Sequence, residues 1–365
     1  MNFDFSNDEK MVQEQIHRYL SDNCDLAVHR SVLDGNAKQA ENVWRGLSDM
    51  GVQGTAIPEA FGGVEAGYLT LCLAAKELGS HLASVPFSSS IYLCAEAILR
   101  FGTDEQKELW LPRLASGEII GTLAITESVE EVRPDTIRTT FDFGRLTGQK
   151  LVVPHGLIAD IAIVLARQKD QLILVLVELE GVEREPIETV DPTMASAKIS
   201  FNDKPAQLMT NKDGWTCYFD VANRAAVLYA FEQIGGAEQA LNMAVSYAKE
   251  RFAFGRPIGS FQAVKHMMAD MYVALKLAES NCYYAAWALK NDATDLPLAA
   301  ATARVSATQA FQLCARDNIQ THGGMGFTWE FDCHLYYRRS NYLAVVLGGQ
   351  STWENRLISA LPDAA

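Results

Sequence analysis

The sequence predicts an α+β protein with an N-terminal helical domain, a central antiparallel β-domain and a C-terminal four-helix bundle. The first and last thirds show the apolar spacing of amphipathic helices, whereas the middle contains short β-branched runs between Gly, Pro, Asp and Asn. Segregated helices and strands do not suit a Rossmann or TIM fold. A chain of 365 residues has the length of two or three domains. We place them at residues 1–118, 119–215 and 216–365.

Helix-capping signals divide the N-terminal region. Asn7 or Asp8 is placed to cap a first helix, and Gly51 to end another, because glycine accommodates the left-handed conformation found after many helices. Thr103 followed by Gln106 predicts a capping box at the start of a third helix. Further apolar helical stretches are Thr70–Leu78 and Ile91–Arg100.

Short strands and then long helices follow along the chain. The runs typical of antiparallel β-structure are Ile119–Thr126, Thr136–Phe143, Ile161–Leu165, Leu172–Val177 and Ala197–Phe201. Later segments have apolar residues three and four positions apart, which predicts the helices of an antiparallel bundle. They are Asn223–Arg251, Phe261–Lys290, Leu298–Gly323 and a shorter one from Ser351.

Composition excludes several classes of protein. Hydrophobic residues make up 48% of the chain and charged residues 21%, which is enough apolar surface for a large core. The net charge of −14 disfavours nucleic acid and an anionic membrane surface as partners. The N-terminus does not resemble a secretory signal, and no apolar run is long enough to span a bilayer.

Cysteine and histidine patterns predict neither disulfides nor a metal site. The seven cysteines occur singly without a CxxC motif, which indicates reduced core thiols in a cytoplasmic protein. His322 and His334 lack the ligand spacing of a zinc site. Glu14-x-x-His17 matches only half of a di-iron bundle motif.

Two segments at helix ends combine arginine, glycine and aromatic residues. Arg251-x-x-Phe254-Gly255 offers a guanidinium to a phosphate, although cations at a helix end also compensate the macrodipole. Gln320–Phe327 (QTHGGMGF) contains glycines that let a ligand approach the backbone. A helix stop explains either segment alone, but the two together are more specific for a ligand site.

Motifs along almost the whole chain resemble the acyl-CoA dehydrogenase family, and they occur in the family's order. The matching segments are Trp44–Gly51, Pro58–Gly63, Gly102–Lys107, Leu111–Glu118, Ala124–Glu127, Gly148–Pro154, Tyr247–Ile258 and Gln320–Phe327. The resemblance implies binding of FAD partly across a subunit interface. It also implies α,β-dehydrogenation of an acyl-CoA thioester, with an electron-transfer flavoprotein as electron acceptor.

The resemblance also assigns residues to the cofactor. The residues at the adenine side of FAD, given by a neighbouring subunit, are Arg251, Phe254, Gln262, Gln320 and Gly324. Those that approach the isoalloxazine ring are Ile125 and Thr126. In the family's chemistry a carboxylate removes the α-proton and the β-hydrogen leaves as hydride, while hydrogen bonds polarise the thioester carbonyl.

The pocket for the flavin ring and the base departs from the family's pattern. After Glu127 the usual Pro-x-x-Gly-Ser-Asp is replaced by SVEEVRPD, and the aromatic residue expected after Lys150 is Val152. The base should lie near Leu347–Ser351 (LGGQS) or, alternatively, near Ala225, and neither position carries a carboxylate. The remaining candidate base, two turns beyond Ala225 in a segment that also fits a structural role, is Glu232.

We therefore expect one subunit of a bacterial heteromeric acyl-CoA dehydrogenase, such as a heterotetramer that acts on a bulky thioester. A second acyl-CoA dehydrogenase subunit would carry the base and the flavin-ring pocket. Two alternatives stay open: a self-sufficient homomer with Glu232 or another displaced carboxylate as base, and a flavin-free scaffold that binds acyl-CoA. A non-redox reaction on an acyl-CoA is also conceivable. The absorbance spectrum of the purified protein distinguishes these cases.

Overall fold

The computed structural model describes residues 5–361, in which helices precede and follow one central sheet. The helices are α1 (Asn7–Asn23), α2 (Leu26–Leu33), α3 (Lys38–Asp49), α4 (Gly67–Ser80), α5 (Glu96–Phe101), α6 (Asp104–Ala115), α7 (Gly214–Glu250), α8 (Gln262–Lys290), α9 (Leu296–His322), α10 (Cys333–Val345) and α11 (Gln350–Ala360). The order of elements confirms the predicted fold class. The domain boundaries at 118/119 and 215/216 stay a prediction.

The strands form one large sheet and one short hairpin. They are β1 (Gly121–Ala124), β2 (Thr140–Asp142), β3 (Arg145–Pro154), β4 (Ile161–Gln168), β5 (Gln171–Glu178), β6 (Glu183–Ile187), β7 (Ser196–Pro205), β8 (Gln207–Leu208), β9 (Phe252–Ala253) and β10 (Arg256–Pro257). The large sheet has the order β6-β7-β3-β2-β4-β5-β8, and β1 pairs with β4. Most pairs are antiparallel as predicted, whereas β1 and β2 each run parallel to β4.

Helix capping follows local sequence at both predicted helix starts. Ser6 caps α1, one residue before the predicted positions, because its hydroxyl accepts from the amide of Glu9 at 3.2 Å. The carboxylate of Glu9 in turn accepts from the amide of Ser6 at 2.7 Å. Thr103 and Gln106 form the predicted capping box of α6, with distances of 3.2 and 3.0 Å. These reciprocal bonds satisfy amides that lack a partner inside the helix.

The chain divides into two compact units whose segments alternate along the sequence. The first unit comprises Met1–Asp34, Tyr68–Ala83 and Ala226–Ala365, and the second comprises Gly35–Gly67 and Ser84–Ala225. The second unit holds the large sheet, whose core contains Phe141, Leu146, Val164 and Phe201 among other buried residues.

The first unit consists of helices that approach one another closely. Helix α9 packs against α8, α10 and α11, of which α10 was not predicted. Helices α4 and α7 touch through glycines: a Cβ atom at Gly79 would lie 1.9 Å from the carbonyl oxygen of Glu232, and one at Gly235 would lie 2.0 Å from that of Lys76. Only glycine permits this separation of the two backbones.

All seven cysteines are buried and unpaired, as predicted for core thiols. Within residues 5–361, no helix combines the length and the apolar character needed to cross a membrane.

Candidate functional site

Three helix ends meet at one end of the first unit. The ring of Tyr247, near the end of α7, stacks on His322 at the end of α9 with a centroid distance of 4.1 Å. The hydroxyl of Thr321 on α9 lies 3.7 Å from the sulfur of Met267 in the second turn of α8. These contacts bring the β9–β10 hairpin and the glycine segment after α9 to the same end of the helices.

Arg251 and Phe254 project from the hairpin at this end. The amide of Arg251 donates to the carbonyl of Tyr247 at 2.8 Å, and its carbonyl accepts from the amide of Ile258 at the same distance. These two hydrogen bonds fix the backbone of Arg251, and its side chain is exposed to solvent. Phe254 is 96% exposed and has a φ of +51°, a backbone conformation that is costly for an aromatic residue.

The other predicted residues of the adenine side lie at the same end. Gln262 is exposed at the first position of α8, and Gln320 is exposed in the last turn of α9. A Cβ atom at Gly324 would meet no atom within 4 Å, so the backbone there is open to a ligand. The preceding Gly323 has a φ of +60°, which turns the chain sharply away from the helix.

Apolar side chains that the sequence analysis did not single out surround these residues. Phe252 is 62% exposed and Phe327 is 83% exposed. Together with Phe254 and Met325 they form what we call the apolar rim. Exposed aromatic residues concentrated at one place mark a surface that contacts another molecule. The signal was present in the sequence as aromatic residues inside glycine-containing loops.

The two residues expected near the isoalloxazine ring belong to the second unit. Ile125 and Thr126 directly follow β1, and Ile125 is buried whereas Thr126 is partly exposed. The carbonyl of Ile125 accepts from the ammonium of Lys150 at 3.0 Å, and the carbonyl of Thr126 accepts from the amide of Leu151 at 2.8 Å. The chain after β1 is therefore attached firmly to β3.

A buried ion pair holds the end of this segment. The ammonium of Lys150 is fully buried, lies 2.6 Å from the carboxylate of Glu127, and also donates to the carbonyl of Leu165. Burial lowers the pKa of Lys150 to about 8, against the attraction of Glu127. Burial tends to raise the pKa of Glu127, but Lys150 and the amides of Arg138 and Thr139 hold that pKa below its ordinary value. The pair ties β3 and β4 to the start of the loop.

The loop after Glu127 lines an open cavity of about 340 Å³ in the second unit. Its lining includes Glu130, Arg138 and Gly148. Val152, which replaces the expected aromatic residue, is 48% exposed with a φ of +50°, and it lies where the β3–β7 register shifts between Lys150 and Val153. A β-branched residue is strained in that conformation, and such strain is concentrated at functional sites.

The structure places Glu232 in the interior of the first unit. Its carboxylate is about 5% exposed and lies 3.8 Å from the guanidinium of Arg339, which is itself fully buried. Arg339 also donates to the carbonyls of Leu82 and Ala83 at 3.5 Å. This environment is that of a carboxylate engaged in a structural ion pair.

The loop expected to carry the base has no acidic side chain. Residues 346–353, which form the loop after α10 and the first turn of α11, contain neither Asp nor Glu, and Ala225 is fully buried. The nearest carboxylate along the chain, Glu354, is exposed and accepts from Gln350 at 2.7 Å. Trp353 closes this loop by donating its indole N–H to the carbonyl of Leu347 at 3.2 Å.

Comparison with known protein families gives matches over most of the chain. The N-terminal domain of acyl-CoA dehydrogenases matches residues 6–118, and the C-terminal domain matches residues 212–360. The acyl-CoA dehydrogenase IpdE2 of Mycobacterium tuberculosis is 32% identical over 341 residues, which cover 93% of this chain and 93% of IpdE2.

Solved structures agree with this assignment over the full fold. A chain of a variant of the Tcur3481-Tcur3483 steroid ACAD is 30% identical with a TM-score of 0.87, covering 97% of both chains. A chain of the ChsE4-ChsE5 complex from Mycobacterium tuberculosis is 26% identical with a TM-score of 0.90, covering 100% of both chains. The chain described here therefore belongs to the acyl-CoA dehydrogenase family, whose members are FAD-binding oxidoreductases that act on CH–CH bonds.

Proposed function

We propose that this chain is one subunit of a heteromeric, FAD-dependent acyl-CoA dehydrogenase. It would supply the adenine-side contacts of FAD to a partner subunit, and the partner would supply the base and the flavin-ring pocket. The observation that carries the proposal is that only one half of the expected active site is present in this chain. The predicted adenine-side residues are all present on an exposed end of the first unit, whereas residues 346–353 lack the carboxylate that the family uses.

The residues present fit one half of FAD. The exposed guanidinium of Arg251 matches a pyrophosphate, and the open backbone at Gly324 leaves room beside it. Phe254 offers an almost fully exposed ring for stacking on adenine. In the second unit, the lining of the cavity after Glu127 includes Glu130 in place of the Gly-Ser contacts typical of the family. A carboxylate there disfavours an anionic ligand nearby.

This chain's own residues would therefore bind and orient the cofactor. Arg251 would neutralise the pyrophosphate, and Gln262 and Gln320 would donate hydrogen bonds to the same half of the molecule. The chemistry that bound FAD would supply is that of a hydride acceptor for the hydrogen on the β-carbon of the acyl group. Removal of the α-proton needs a carboxylate positioned at the substrate. Because Glu232 is held by Arg339 in the interior, we assign the base to the partner subunit.

We propose a bulky acyl-CoA thioester, such as a steroid side chain, as substrate. The similarity to a steroid ACAD and to a chain from a complex of two different proteins supports both the substrate class and the heteromer. We expect an electron-transfer flavoprotein as electron acceptor and keep the cytoplasmic location as a prediction.

The test is the absorbance spectrum at 450 nm, measured for the protein alone and after co-expression with a neighbouring dehydrogenase-like gene. We expect a colourless protein alone and a yellow, active complex with the partner. Arg251→Gln should weaken FAD binding by the complex about 10- to 100-fold, because a charge-assisted hydrogen bond is lost. Arg145→Gln, at an exposed arginine of the second unit, is the matched control and should retain FAD.

Two outcomes would overturn the proposal. The first is a lone protein that carries one FAD per chain and oxidises acyl-CoA, with turnover abolished by Glu232→Gln while FAD stays bound. This outcome would establish the self-sufficient homomer. The second is a protein that binds acyl-CoA but stays colourless with every candidate partner, which would establish the flavin-free scaffold.

A further inference from the structure

Three side chains of metal-ligand type meet where α1 lies against α4 in the first unit. His17 comes from α1, whereas Glu77 and His81 come from α4 and are four residues apart, so they share one face of that helix. Each residue brings a ligand atom within 4.8 Å of the ligand atoms of the other two. His17 lies 60 positions before Glu77 in the sequence, so the sequence spacing gave no indication of this group.

The hydrogen bonds fix how the two imidazole rings are oriented. The Nδ1 atom of His81 lies 2.9 Å from both the carbonyl oxygen of Glu77 and the hydroxyl of Ser80. Because the carbonyl oxygen can only accept, Nδ1 is assigned as the donor to it. The Nδ1 atom of His17 lies 2.8 Å from a carboxylate oxygen of Glu77 and is a donor for the same reason. With the hydrogen on Nδ1, Nε2 is the ring nitrogen that can offer a lone pair to an ion.

Both lone pairs face a single hydroxyl group. The Oγ atom of Ser21 lies 3.1 Å from Nε2 of His81 and 3.5 Å from Nε2 of His17. A hydroxyl has one hydrogen and can donate to only one of these two acceptors. Among the described residues, the Ser21 hydroxyl can therefore donate to only one of the two nitrogens at a time, and solvent reaches the exposed His17 ring.

The carboxylate is buried and already oriented by a neighbour. The side chain of Glu77 is 8% exposed, that of His17 is 58% exposed, and the amide of Gln13 donates to the second carboxylate oxygen of Glu77 at 2.6 Å. Metal-binding carboxylates and histidines typically have such hydrogen-bond partners behind them. The exposed His17 gives an ion a path of entry and can move to shorten the distances.

We propose that His17, Glu77 and His81 bind Zn²⁺ or a similar divalent transition-metal ion, with water or the Ser21 hydroxyl as the fourth ligand. Two imidazole nitrogens and one carboxylate oxygen are a ligand set that Zn²⁺ accepts in tetrahedral geometry. Binding would break the hydrogen bond between Nδ1 of His17 and Glu77, because that oxygen lies on the far side of the ring from Nε2. The exposed His17 ring would turn, and the ligand atoms would move inward to about 2.0–2.2 Å from the ion. The ion would join α1 to α4 and stabilise the folded chain, since it binds the native state.

The test uses the full-length protein without an affinity tag, stripped with EDTA and exchanged into metal-free buffer. Calorimetric titration should give one Zn²⁺ per chain, and Co²⁺ should produce the visible spectrum of a tetrahedral site. His81→Ala should weaken Zn²⁺ binding at least ~100-fold, and Gln13→Leu about 10-fold through loss of carboxylate orientation. His266→Ala, at an exposed histidine on α8, is the matched control and should bind as the unmodified protein does.

The readout requires neither FAD nor a partner subunit, so it is independent of the proposed function. Circular dichroism checks that each variant is folded, and His17→Gln is a second variant at a largely exposed side chain that must also lose affinity. The proposal is wrong if the stripped protein binds Zn²⁺ no more tightly than the His17→Gln/His81→Ala double variant. It is equally wrong if Co²⁺ gives only the spectrum of an octahedral, water-like site.

Discussion

Replacing Lys150 by methionine tests whether the buried ion pair holds the loop after β1. The substitution keeps most of the side-chain volume but removes an ammonium that donates to Glu127, Ile125 and Leu165 at 2.6, 3.0 and 2.6 Å. Removing one partner of a buried pair typically costs about 3–5 kcal/mol, because the remaining charge stays buried and unpaired. With an m-value of about 3 kcal/mol/M, the urea midpoint should fall by about 1–2 M.

The measurement is urea unfolding followed by tryptophan fluorescence and circular dichroism. Lys198→Met is the matched control, since Lys198 pairs with Glu185 on the surface at 3.1 Å and such pairs contribute about 0–1 kcal/mol. Adding Glu127→Met to Lys150→Met should restore part of the loss, because the orphaned carboxylate is then removed as well. If Lys150→Met unfolds within about 1 kcal/mol of the unmodified protein, the pair does not stabilise the loop.

Two further predictions concern glycine packing and acid stability. Gly79→Ala should lower the free energy of unfolding by about 3 kcal/mol or more, because the new Cβ atom would lie 1.9 Å from the carbonyl oxygen of Glu232. Thermal unfolding should show a matching fall in Tm. Gly349→Ala, with no atom within 4 Å, is the control, and an equal fall in both variants would contradict this reason. The pKa of Glu127 is held below its ordinary value in the folded chain. The ionised carboxylate therefore contributes its full stabilisation at pH values above the ordinary pKa, and this stabilisation is lost as the pH falls through the lowered pKa. Glu127→Gln should therefore flatten the decline of stability below pH ~4.5, and an unchanged slope would refute this.

Local signals predicted the helices and strands where sequence neighbours decide the structure. The capping box at Thr103 and the apolar stripe of α8 depend on residues three and four positions apart, and both are confirmed. Strand β3 was not predicted, because Gly148 and Pro154 interrupt its pattern and a register shift moves its side chains between faces. Helix α10 was not predicted, because its sequence, CHLYYRRSNYLAV, is polar in its middle.

The residues of the candidate sites also fall into two groups. Some could be proposed from short motifs, and others are brought together only by the fold. Arg251 and Gly324 could be proposed from short motifs, because the hairpin and the glycine turn that present them are local structures. The pair of Lys150 and Glu127 could not be proposed from sequence, since the two residues are 23 positions apart and only the sheet brings them together. The same holds for Glu232 and Arg339, whose contact depends on the packing of α7 against α10.

The discontinuous first unit has a consequence for how the protein is made. Helix α4 rests on α7 through Gly79 and Gly235, yet about 140 residues are synthesised between Ala83 and Ala226. At about 5–20 residues per second, a ribosome takes roughly 7–30 s to cover that stretch. During this interval α1 and α4 can contact each other, but the α7 surface against which α4 packs is missing. We therefore expect the nascent chain to depend on chaperones until translation is nearly finished.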